Sequence, residues 1–408
     1  MWKIHNKYYD LSNFLDKHPG GSKILESCSD VGDVTAAFES YHSMCNMNKI
    51  IKTMEKYEIE EPNVIIPNHK YTFNQNQFYQ EVKEKVRNHF IDKTTKWTWI
   101  WFLYAITSLF IYIISFSCTF YYTNLPFNLR IFTSIVAGTS LMQLTFQFYH
   151  DATHCAVSSN KYVNEYLSIL GSALTFWDYT TWIKHHSIMH HSFTGESKLD
   201  PDMRHTQPFF NKSLKSSKNP IVKSSRSIAF ILSIFPGMFL GQILSYILCQ
   251  FRKKLWGFKI YKNKSWIEIG IISLQLILMI NGGSFLLPLI FLLTLNINYS
   301  IAILPDHDLL ETRLNYNENI TDWGEIQVRH SGNFANDNLI YTRLYGSINY
   351  QIEHHLFPSI CSYHLPEIAY IVKDTCKKYD IKYVEIKSIY NAYLSVIENL
   401  SIINKFKY

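Results

Sequence analysis

Three groups of histidines have a spacing suited to holding a metal. The first is His150-Asp-Ala-Thr-His154, the second is His185-His186-Ser-Ile-Met-His190-His191, and the third is Gln351-Ile-Glu-His354-His355. On a helix, residues four apart share one face, so His150 and His154 can point both imidazoles at one ion. Imidazoles with few carboxylates suit iron or another borderline metal. One HxxxH alone is weak evidence, but three such groups in this order predict a shared metal site.

A second pair of histidines lies near the N-terminus. His18 opens the run His18-Pro19-Gly20-Gly21, and His42 follows it by 24 residues within Phe38-Glu-Ser-Tyr-His42. The first run alone indicates only a turn. Residues 1–60 have the composition of a small soluble unit, followed by a linker at 61–75 and a larger domain at 76–408. The chain is long enough for at least two such units.

Stretches of sequence without charged residues predict which parts of the larger domain cross a membrane. About 20 apolar residues cross a bilayer as a helix, and the windows predict four spans near 98–122, 131–149, 269–282 and 285–304. An even number of crossings then separates the three histidine groups, so all of them face the same side. The charge-free stretch 227–251 is also long enough, but Lys and Arg flank both of its ends. The positive-inside rule therefore favours an interfacial or re-entrant segment there.

Composition narrows the classes of function. Apolar residues make up 47% of the chain and charged residues 18%, a balance typical of lipid contact. The net charge of +6 comes without a nucleic-acid-binding motif, so no nucleic-acid partner is expected. Seven cysteines at irregular spacing indicate reduced thiols. The polar N-terminus predicts a cytosolic start, and Phe78, Val82, Val86 and Phe90 predict an amphipathic helix that either approaches the membrane or is an ordinary soluble helix.

With these motifs in place, the chain resembles the membrane fatty-acyl desaturases that carry three histidine boxes. Glutamine at the start of the third box is typical of their front-end branch, and Asp200-Pro-Asp202, Asp322-Trp323, Gln327-Val328 and Leu356-Phe357-Pro358 agree with it. The resemblance covers roughly residues 75–408. It implies a non-haem di-iron site, with catalytic iron ligation by the following side chains: His150, His154, His186, His190, His191, His354 and His355.

Four further residues near the boxes receive separate predictions. The resemblance implies an eighth ligand past the fourth span, and His307 in Pro305-Asp-His-Asp308 has the expected position. Gln351 replaces a histidine ligand of other branches, which leaves its contact with iron open. His185 is extra to the box and is expected outside the ligand set. Asp151 is a candidate to accept a hydrogen bond from a ligand imidazole.

The N-terminal unit resembles cytochrome b5. Tyr9-Asp10-Leu11-Ser12-Xaa-Phe14 before His18 and Asp33-Val-Thr-Ala-Ala-Phe38 before His42 support this resemblance. It implies a small α+β domain that holds haem b between the axial ligands His18 and His42. Two axial imidazoles leave no position for dioxygen, so such a haem carries single electrons. The expected architecture is therefore this haem domain followed by an all-α membrane domain with four spans and a cytosolic histidine-rich cap.

The implied reaction is the oxygen-dependent removal of two hydrogens from an acyl chain. Electrons come from NAD(P)H through a reductase, NADH-cytochrome b5 reductase, and a metal supplies the chemistry because side chains cannot break an unactivated C–H bond. Expected partners are the bilayer and an acyl-lipid or acyl-CoA, in the endoplasmic reticulum with both termini cytosolic. Trp177, Tyr179 and Trp182 are candidates to line the acyl tunnel.

The position of the new double bond stays open between a best guess of Δ6 and then Δ5. Alternatives are a sphingoid long-chain-base Δ8 desaturase and a lipid hydroxylase that uses the same di-iron site. A membrane-anchored redox carrier without catalysis is a fourth hypothesis, but the intact boxes argue against it. The sequence gives no oligomeric state.

Overall fold

The structure is a computed structural model of the full chain. It describes residues 1–61, 71–73, 77–196, 199–203, 247–248, 251, 254–255, 258–259, 265–313 and 320–405. Most of the linker at 61–75 and of the segment 227–251 therefore lies outside the described residues, and so does the re-entrant prediction.

The N-terminal unit is a small antiparallel sheet with short helices packed against it. Strands Trp2–Ile4, Lys7–Tyr9 and Glu58–Ile59 pair in that order, with Trp2 opposite Tyr9 and Tyr8 opposite Ile59. His5 and Asn6 form the two-residue turn with φ of 49° and 66°, as a tight hairpin turn of the mirror-image type requires. Helices occupy Ser12–Lys17, Ser22–Cys28, Thr35–Tyr41, Met47–Met54 and Glu55–Tyr57. The unit is the expected α+β domain.

Long apolar helices form the centre of the second domain. Three of them, Trp99–Phe120, Phe127–Thr153 and Leu286–His307, are long and apolar enough to cross a membrane. The third predicted span, 269–282, corresponds to the apolar helix Trp266–Asn281, whose 16 residues fall short of that length. Large apolar side chains such as Ile280, 79% exposed, point outwards from these helices. Exposed apolar surface of this kind is expected where lipid replaces water.

The second long helix starts earlier than its charge-free window. It begins at Phe127 rather than 131, so Arg130 lies inside the helix and is buried. Its guanidinium donates to the carbonyl oxygen of Thr119 at 2.9 Å and to that of Gly282. These carbonyls lie at the ends of neighbouring helices, where they lack helical partners. The charge is therefore satisfied by helix ends, which a search for charge-free windows cannot detect.

Shorter elements build a cap at one end of the long helices. The helix Phe78–His89 packs against Leu365–Lys378 through Phe78, Val82 and Val86, all fully buried. The predicted apolar face is therefore buried inside the protein. The remaining helical segments of the cap are Thr145–His150, Asp151–Thr153, Lys161–Thr175, Tyr179–Trp182, Ile183–His190, His191–Phe193, Pro201–Met203, Leu310–Thr312, Trp323–His330, Leu339–Leu344, Gln351–Leu356, Ser362–His364 and Ile389–Lys405.

Two short strand pairs complete the described part of this mostly helical domain. Lys254–Leu255 pairs antiparallel with Phe258–Lys259, and Asn333–Phe334 pairs parallel with Glu385–Ile386. The parallel pair joins the segment before the third histidine box to the C-terminal region. Asn333 also donates to the buried carboxylate of Glu353 inside that box, at 2.7 Å. These contacts anchor the helix Gln351–Leu356 in the cap.

Candidate metal centre

The three histidine groups and His307 meet at the junction of the cap and the long helices. The elements that carry them come from four distant parts of the chain, and the box histidines are buried. The second long helix leads into His150 and His154, and the third such helix ends at His307. The other five come from the helical segments Ile183–His190, His191–Phe193 and Gln351–Leu356.

The first two groups lie on or next to π-helical turns rather than on regular α-helix. Thr145–His150 and Ile183–His190 both take the π-helical form. Its hydrogen bonds join residues five apart, and such turns are frequent at functional sites. His191 therefore lies one turn beyond His186, beside His190. This geometry explains why the second group reads HxxxHH, whereas the expected α-helical spacing explains only one of the two final histidines.

One set of four imidazoles encloses a small space. His150, His154, His186 and His354 each offer a nitrogen within 4.8 Å of the others. The Nε2 atoms of His150 and His186 are 3.1 Å apart. Among the described residues, none is a hydrogen-bond partner of the buried Nε2 atoms of His154 and His354. Buried polar atoms of this kind are rare unless a metal or another ligand binds them.

A second set consists of His190, His307 and His355. Nε2 of His307 lies 3.2 Å from Nε2 of His190 and 3.1 Å from that of His355. Each Nδ1 faces an oxygen that accepts its proton: Asp200 Oδ1 at 3.1 Å for His190, the carbonyl of His330 at 2.8 Å for His307, and Gln327 Oε1 at 2.9 Å for His355. The three Nε2 atoms then all present lone pairs to one another.

This arrangement fits a metal ion in each set. Lone pairs only 3.1 Å apart repel unless a cation lies between them. Two nitrogens at right angles around an ion about 2.1 Å away would lie about 3.0 Å apart. Oxygen acceptors on Nδ1 are the usual partners of metal-bound histidine, because they fix the ring and its tautomer. The all-imidazole donor set suits iron.

Burial keeps these imidazoles neutral. Desolvation, reinforced by neighbouring histidines, holds the pKa of His154, His186 and His354 well below the usual range. The same two causes lower the pKa of His191 and His355. Neutral imidazole is the form that binds a metal, so no proton has to be displaced at neutral pH.

His191 and Gln351 lie beside these sets. The ring centroid of His191 is 4.6 Å from those of His154 and His354 and 4.3 Å from that of His355, so it lies between the two sets. Both of its nitrogens are buried without a partner. Gln351 Nε2 is 3.0 Å from His307 Nε2, and its Oε1 is also unpartnered. Both side chains are placed to reach an ion.

Two other predicted residues take different positions. His185 belongs to neither set, and its Nε2 lies 2.6 Å from Asp202 Oδ1. Asp151 Oδ1 is 3.9 Å from His150 Nδ1, which is too far for a hydrogen bond. Its Oδ2 instead accepts from the backbone N–H and hydroxyl of Ser362, at 3.2 and 2.9 Å. Asp151 therefore ties the first box to the loop after the third.

The three aromatic residues before the second box separate into two groups. Trp177 stacks on Trp182, and Trp182 stacks on His186, each pair with centroids 4.6 Å apart. Tyr179 lies elsewhere, in an apolar cluster with residues of the N-terminal unit, and the ammonium of Lys23 lies 4.8 Å from its ring centroid. Tyr179 therefore contacts the N-terminal unit and is not beside the metal sets.

In the N-terminal unit, His18 and His42 face each other. Their ring centroids are 6.2 Å apart and the rings are nearly perpendicular. His42 Nδ1 donates to the carbonyl of Phe38 at 2.9 Å, which leaves Nε2 free. Burial and then the charge of His42 lower the pKa of His18 to about 4. An iron about 2 Å from each Nε2 would fit this spacing, and the apolar side chains of Phe14 and Phe38 flank the pair. The residues fit a haem.

The N-terminal unit docks on the cap next to the four-histidine set. Lys184, in the π-helical segment of the second box, donates to the carbonyl of Ser27 at 2.6 Å and pairs with Asp30. Lys23 pairs with Glu165 at 2.6 Å. These contacts join residues 23–30 to the segment of the second box and to the helix Lys161–Thr175.

A second group of contacts joins the unit to the helix after the linker. Glu39 accepts from Lys83 at 2.6 Å in a buried pair, and Arg87 donates to the carbonyl of Ser43 at 2.6 Å. Both acceptors flank His42. The contacts therefore fix the face of the unit that carries the histidine pair.

Several partners of the site histidines escaped the sequence analysis. Asp200 and Gln327 belong to motifs that support the family resemblance, but nothing in their spacing indicates which imidazole they contact. Tyr41 has no signal of its own: its hydroxyl lies 2.6 Å from Nδ1 of His154, which is 113 residues away. Only the docked fold brings these two side chains together.

Comparison with known proteins agrees with the two resemblances. The family described as Fatty acid desaturase matches residues 126–387, and the Cytochrome b5-like Heme/Steroid binding domain matches residues 1–60. A probable Delta(5) fatty acid desaturase C of Dictyostelium discoideum is 28% identical, covering 98% of this chain and 91% of the relative. An acyl-lipid (8-3)-desaturase of Mortierella alpina is 26% identical, covering 98% and 93%.

A relative with lower sequence identity also aligns with most of this chain. The Delta(8)-fatty-acid desaturase 2 of Arabidopsis thaliana is 23% identical over 94% of this chain and 85% of the relative. The first family match covers more than half of the chain and includes all of the histidine boxes. The chain therefore belongs to the fatty acid desaturase family, with a cytochrome b5-like domain at its N-terminus, and is an oxidoreductase that acts on lipids.

Proposed function

We propose that this chain is a front-end acyl desaturase. It would use dioxygen and two electrons to insert a cis double bond between an existing double bond and the carboxyl end of a polyunsaturated acyl chain. The observation that carries the proposal is the pair of adjacent histidine sets whose Nε2 atoms converge beside a docked cytochrome b5-like domain. Glutamine at the start of the third box supports the front-end branch.

Different histidines would hold each of the two irons and the haem. His150, His154, His186 and His354 would hold one iron, and His190, His307 and His355 the other, with His191 and Gln351 placed between or beside them. His18 and His42 would hold haem b. When bound, the two irons supply the oxidation of an unactivated methylene group, which no side chain can perform.

The protein orients these ligands and keeps water away. Asp200, Gln327 and the carbonyl of His330 hold the Nδ1 protons of the three-histidine set, so the Nε2 atoms remain available. Trp182 covers His186, and Trp177 extends this aromatic wall towards the long apolar helices. An acyl chain that enters from the bilayer would lie against this wall, because a low-polarity surface excludes competing water.

We also propose a four-span topology. The three long helices would cross the bilayer, and Trp266–Asn281 would cross with them as a short fourth span. Arg130, at one end of the second helix, donates to Gly282 at the turn between the last two. This contact aligns the ends of three helices at one membrane surface. The cap, the haem domain and both termini would then share the cytosolic face of the endoplasmic reticulum, where NADH-cytochrome b5 reductase can reach the haem.

The relatives bear on the position of the new double bond. The sequence alone put Δ6 first and Δ5 second. The Dictyostelium relative is named a probable Delta(5) desaturase, so we infer Δ5 ahead of Δ6. The substrate would be an acyl-lipid or acyl-CoA. A sphingoid Δ8 desaturase and a lipid hydroxylase would use the same histidine sets, and they are distinguished by the product.

Expression in a yeast host tests the proposal. Cultures are fed fatty acids that differ in the position of their first double bond, and mass spectrometry locates any new one. The expected product has one additional cis double bond on the carboxyl side of the first. A new bond on the methyl side, a hydroxylated acid or a modified sphingoid base would contradict the proposal. The matched control is His354→Ala, whose haem spectrum shows that the chain has folded.

A further inference from the structure

The haem domain and the metal sets touch through one tyrosine. Tyr41 precedes His42 at the end of the helix Thr35–Tyr41. Its hydroxyl lies 2.6 Å from Nδ1 of His154 and 3.0 Å from the carbonyl oxygen of Ser187. The Tyr41 and His154 rings are also nearly parallel, with centroids 6.0 Å apart. A side chain next to a haem ligand therefore contacts a residue of the four-histidine set directly.

The hydrogen bonds at this contact have one consistent direction. The carbonyl of Ser187 can only accept, so the single hydroxyl proton of Tyr41 is donated to it. The hydroxyl oxygen must then accept the Nδ1 proton of His154. This tautomer leaves Nε2 of His154 as a lone pair, and that atom is buried in the four-histidine set without a partner. Tyr41 therefore orients His154 as other oxygen acceptors orient metal-bound imidazoles.

The docking contacts hold this tyrosine in place. Lys184 pairs with Asp30 and donates to the carbonyl of Ser27, and the buried Lys83 pairs with Glu39. The domain that carries Tyr41 is therefore tied to the cap by two separate groups of contacts. These contacts keep His42 close to His154 through Tyr41.

We propose that Tyr41 is the link through which electrons pass from the haem to the non-haem iron held by His154. The inference rests on the proposed di-iron function. The path runs from His42 through the peptide bond to the Tyr41 ring, across its hydrogen bond, and into the His154 imidazole. In each transfer one electron leaves ferrous haem, which becomes ferric, and reduces one ferric non-haem iron to ferrous. No bond forms or breaks at Tyr41, which keeps its proton.

Two transfers serve one desaturation, and the reductase reduces the haem again after each. Because both domains belong to one chain, this step does not depend on protein concentration, unlike delivery by a separate carrier. Tyr41 is a positioning residue here, since it acts through His154 and does not touch the substrate.

The test measures electron transfer without substrate. The full chain in detergent is loaded with haem and iron, and a light pulse with a flavin sensitiser reduces the haem under anaerobic conditions. The decay of the ferrous haem absorbance then reports its oxidation by iron. We expect Tyr41→Phe to slow this decay about 10- to 100-fold, the range that loss of a partner of a metal-bound histidine costs in metal affinity or activity. Tyr8→Phe, which removes a tyrosine hydroxyl elsewhere in the same domain, should decay like the wild type.

Loss of iron and loss of coupling are separated in the same trace. The amplitude of the decay reports the fraction of molecules that hold iron, whereas the rate constant reports the transfer within each of them. A wild-type rate constant in Tyr41→Phe would overturn the proposal. Zero amplitude after the variant has been reloaded with iron would also overturn it, because Tyr41 would then serve only to retain the metal.

A second measurement bypasses the haem. Dithionite reduces the iron directly, and air is then admitted to the enzyme with its lipid for a single turnover. At equal iron content, Tyr41→Phe should lose much less product by this route than by the haem route, and an equal loss by both routes would show that Tyr41 acts on the chemistry itself. The flash experiment contains no lipid, so it remains valid if the regiochemistry of the proposed function is wrong. Conversely, a wild-type rate of haem oxidation in Tyr41→Phe would overturn the proposed electron link but would not change the product expected in the yeast experiment.

Discussion

Gly195 contacts the hydrogen-bond partners of two of the three imidazoles of the second set. Replacing Gly195 by alanine should displace both partners and therefore disturb both imidazoles. Its φ is +76°, and its N–H donates to Asp200 Oδ2 at 2.7 Å. A Cβ at this position would lie 2.4 Å from Cε1 and Nδ1 of His330. Asp200 accepts the Nδ1 proton of His190, and the carbonyl of His330 accepts that of His307. The same displacement therefore disturbs two ligand positions.

Gly195→Ala should lower the free energy of unfolding in two ways. A non-glycine residue in the left-handed region costs about 1–2 kcal/mol. Forcing a methyl group into packed atoms costs about 1–3 kcal/mol more. We therefore expect Gly195→Ala to lower the free energy of unfolding by about 2–5 kcal/mol, the sum of these two ranges. Gly283→Ala is the matched control, because Gly283 has a φ of +72° with nothing within 4 Å of an added Cβ. It should show the backbone cost alone.

Three measurements on purified protein check this reasoning. Thermal unfolding should rank the wild type first, Gly283→Ala second and Gly195→Ala third. Metal analysis should show iron lost only from Gly195→Ala, while the haem absorbance stays unchanged in all three proteins. Adding His330→Ala to Gly195→Ala removes the ring that clashes, so the two substitutions together should cost less than the sum of each alone. If Gly195→Ala matched Gly283→Ala in both stability and iron, the reasoning would be refuted.

Three further predictions concern the site and the docked domain. His354→Ala should remove iron and product but keep the haem spectrum, whereas His185→Ala, outside both sets, should retain iron by metal analysis. His42→Ala should abolish the haem absorbance, and product in cells without a separate cytochrome b5 should disappear with it. Burial alone would raise the pKa of Glu39, but His5 and Lys83 together lower that pKa to about 2. Its stabilisation of the docked domain is therefore complete above about pH 4.5 and lost as the pH falls towards 2, as haem absorbance should report, and Glu39→Gln should lack this dependence.

The chemistry of the centre could be predicted from the sequence because its ligands lie in short, recognisable groups. The predicted family and the N-terminal cytochrome b5-like domain are confirmed by the family matches. The assignment of individual histidines to iron stays a prediction. His307 belongs to no group, so only its position after a long apolar helix indicated it, and the structure places it within 3.2 Å of His190.

Contacts between distant segments could not be predicted. The link from Tyr41 to His154 and the anchoring of Ser362 by Asp151 join segments far apart in the chain, and no local pattern encodes them. The start of the second long helix was wrong because Arg130 finds carbonyl partners that a count of charges ignores. The turn between the last two apolar helices was easier to predict. The helix Trp266–Asn281 ends within one residue of the predicted 282, because Gly282 and Gly283 allow a turn there.

The π-helical segment Ile183–His190 makes the number of residues in the second box as important as their identity. A π turn is an α-helix that accommodates one extra residue. Deletion of a single residue, such as Ser187, would leave His190 and His191 three and four residues after His186 on an ordinary α-helix, at about −60° and +40° from it and therefore still on its face. A further inserted residue has no second π turn to absorb it and would rotate everything beyond it by about 100°. The second box should therefore tolerate the loss of one residue better than the gain of one.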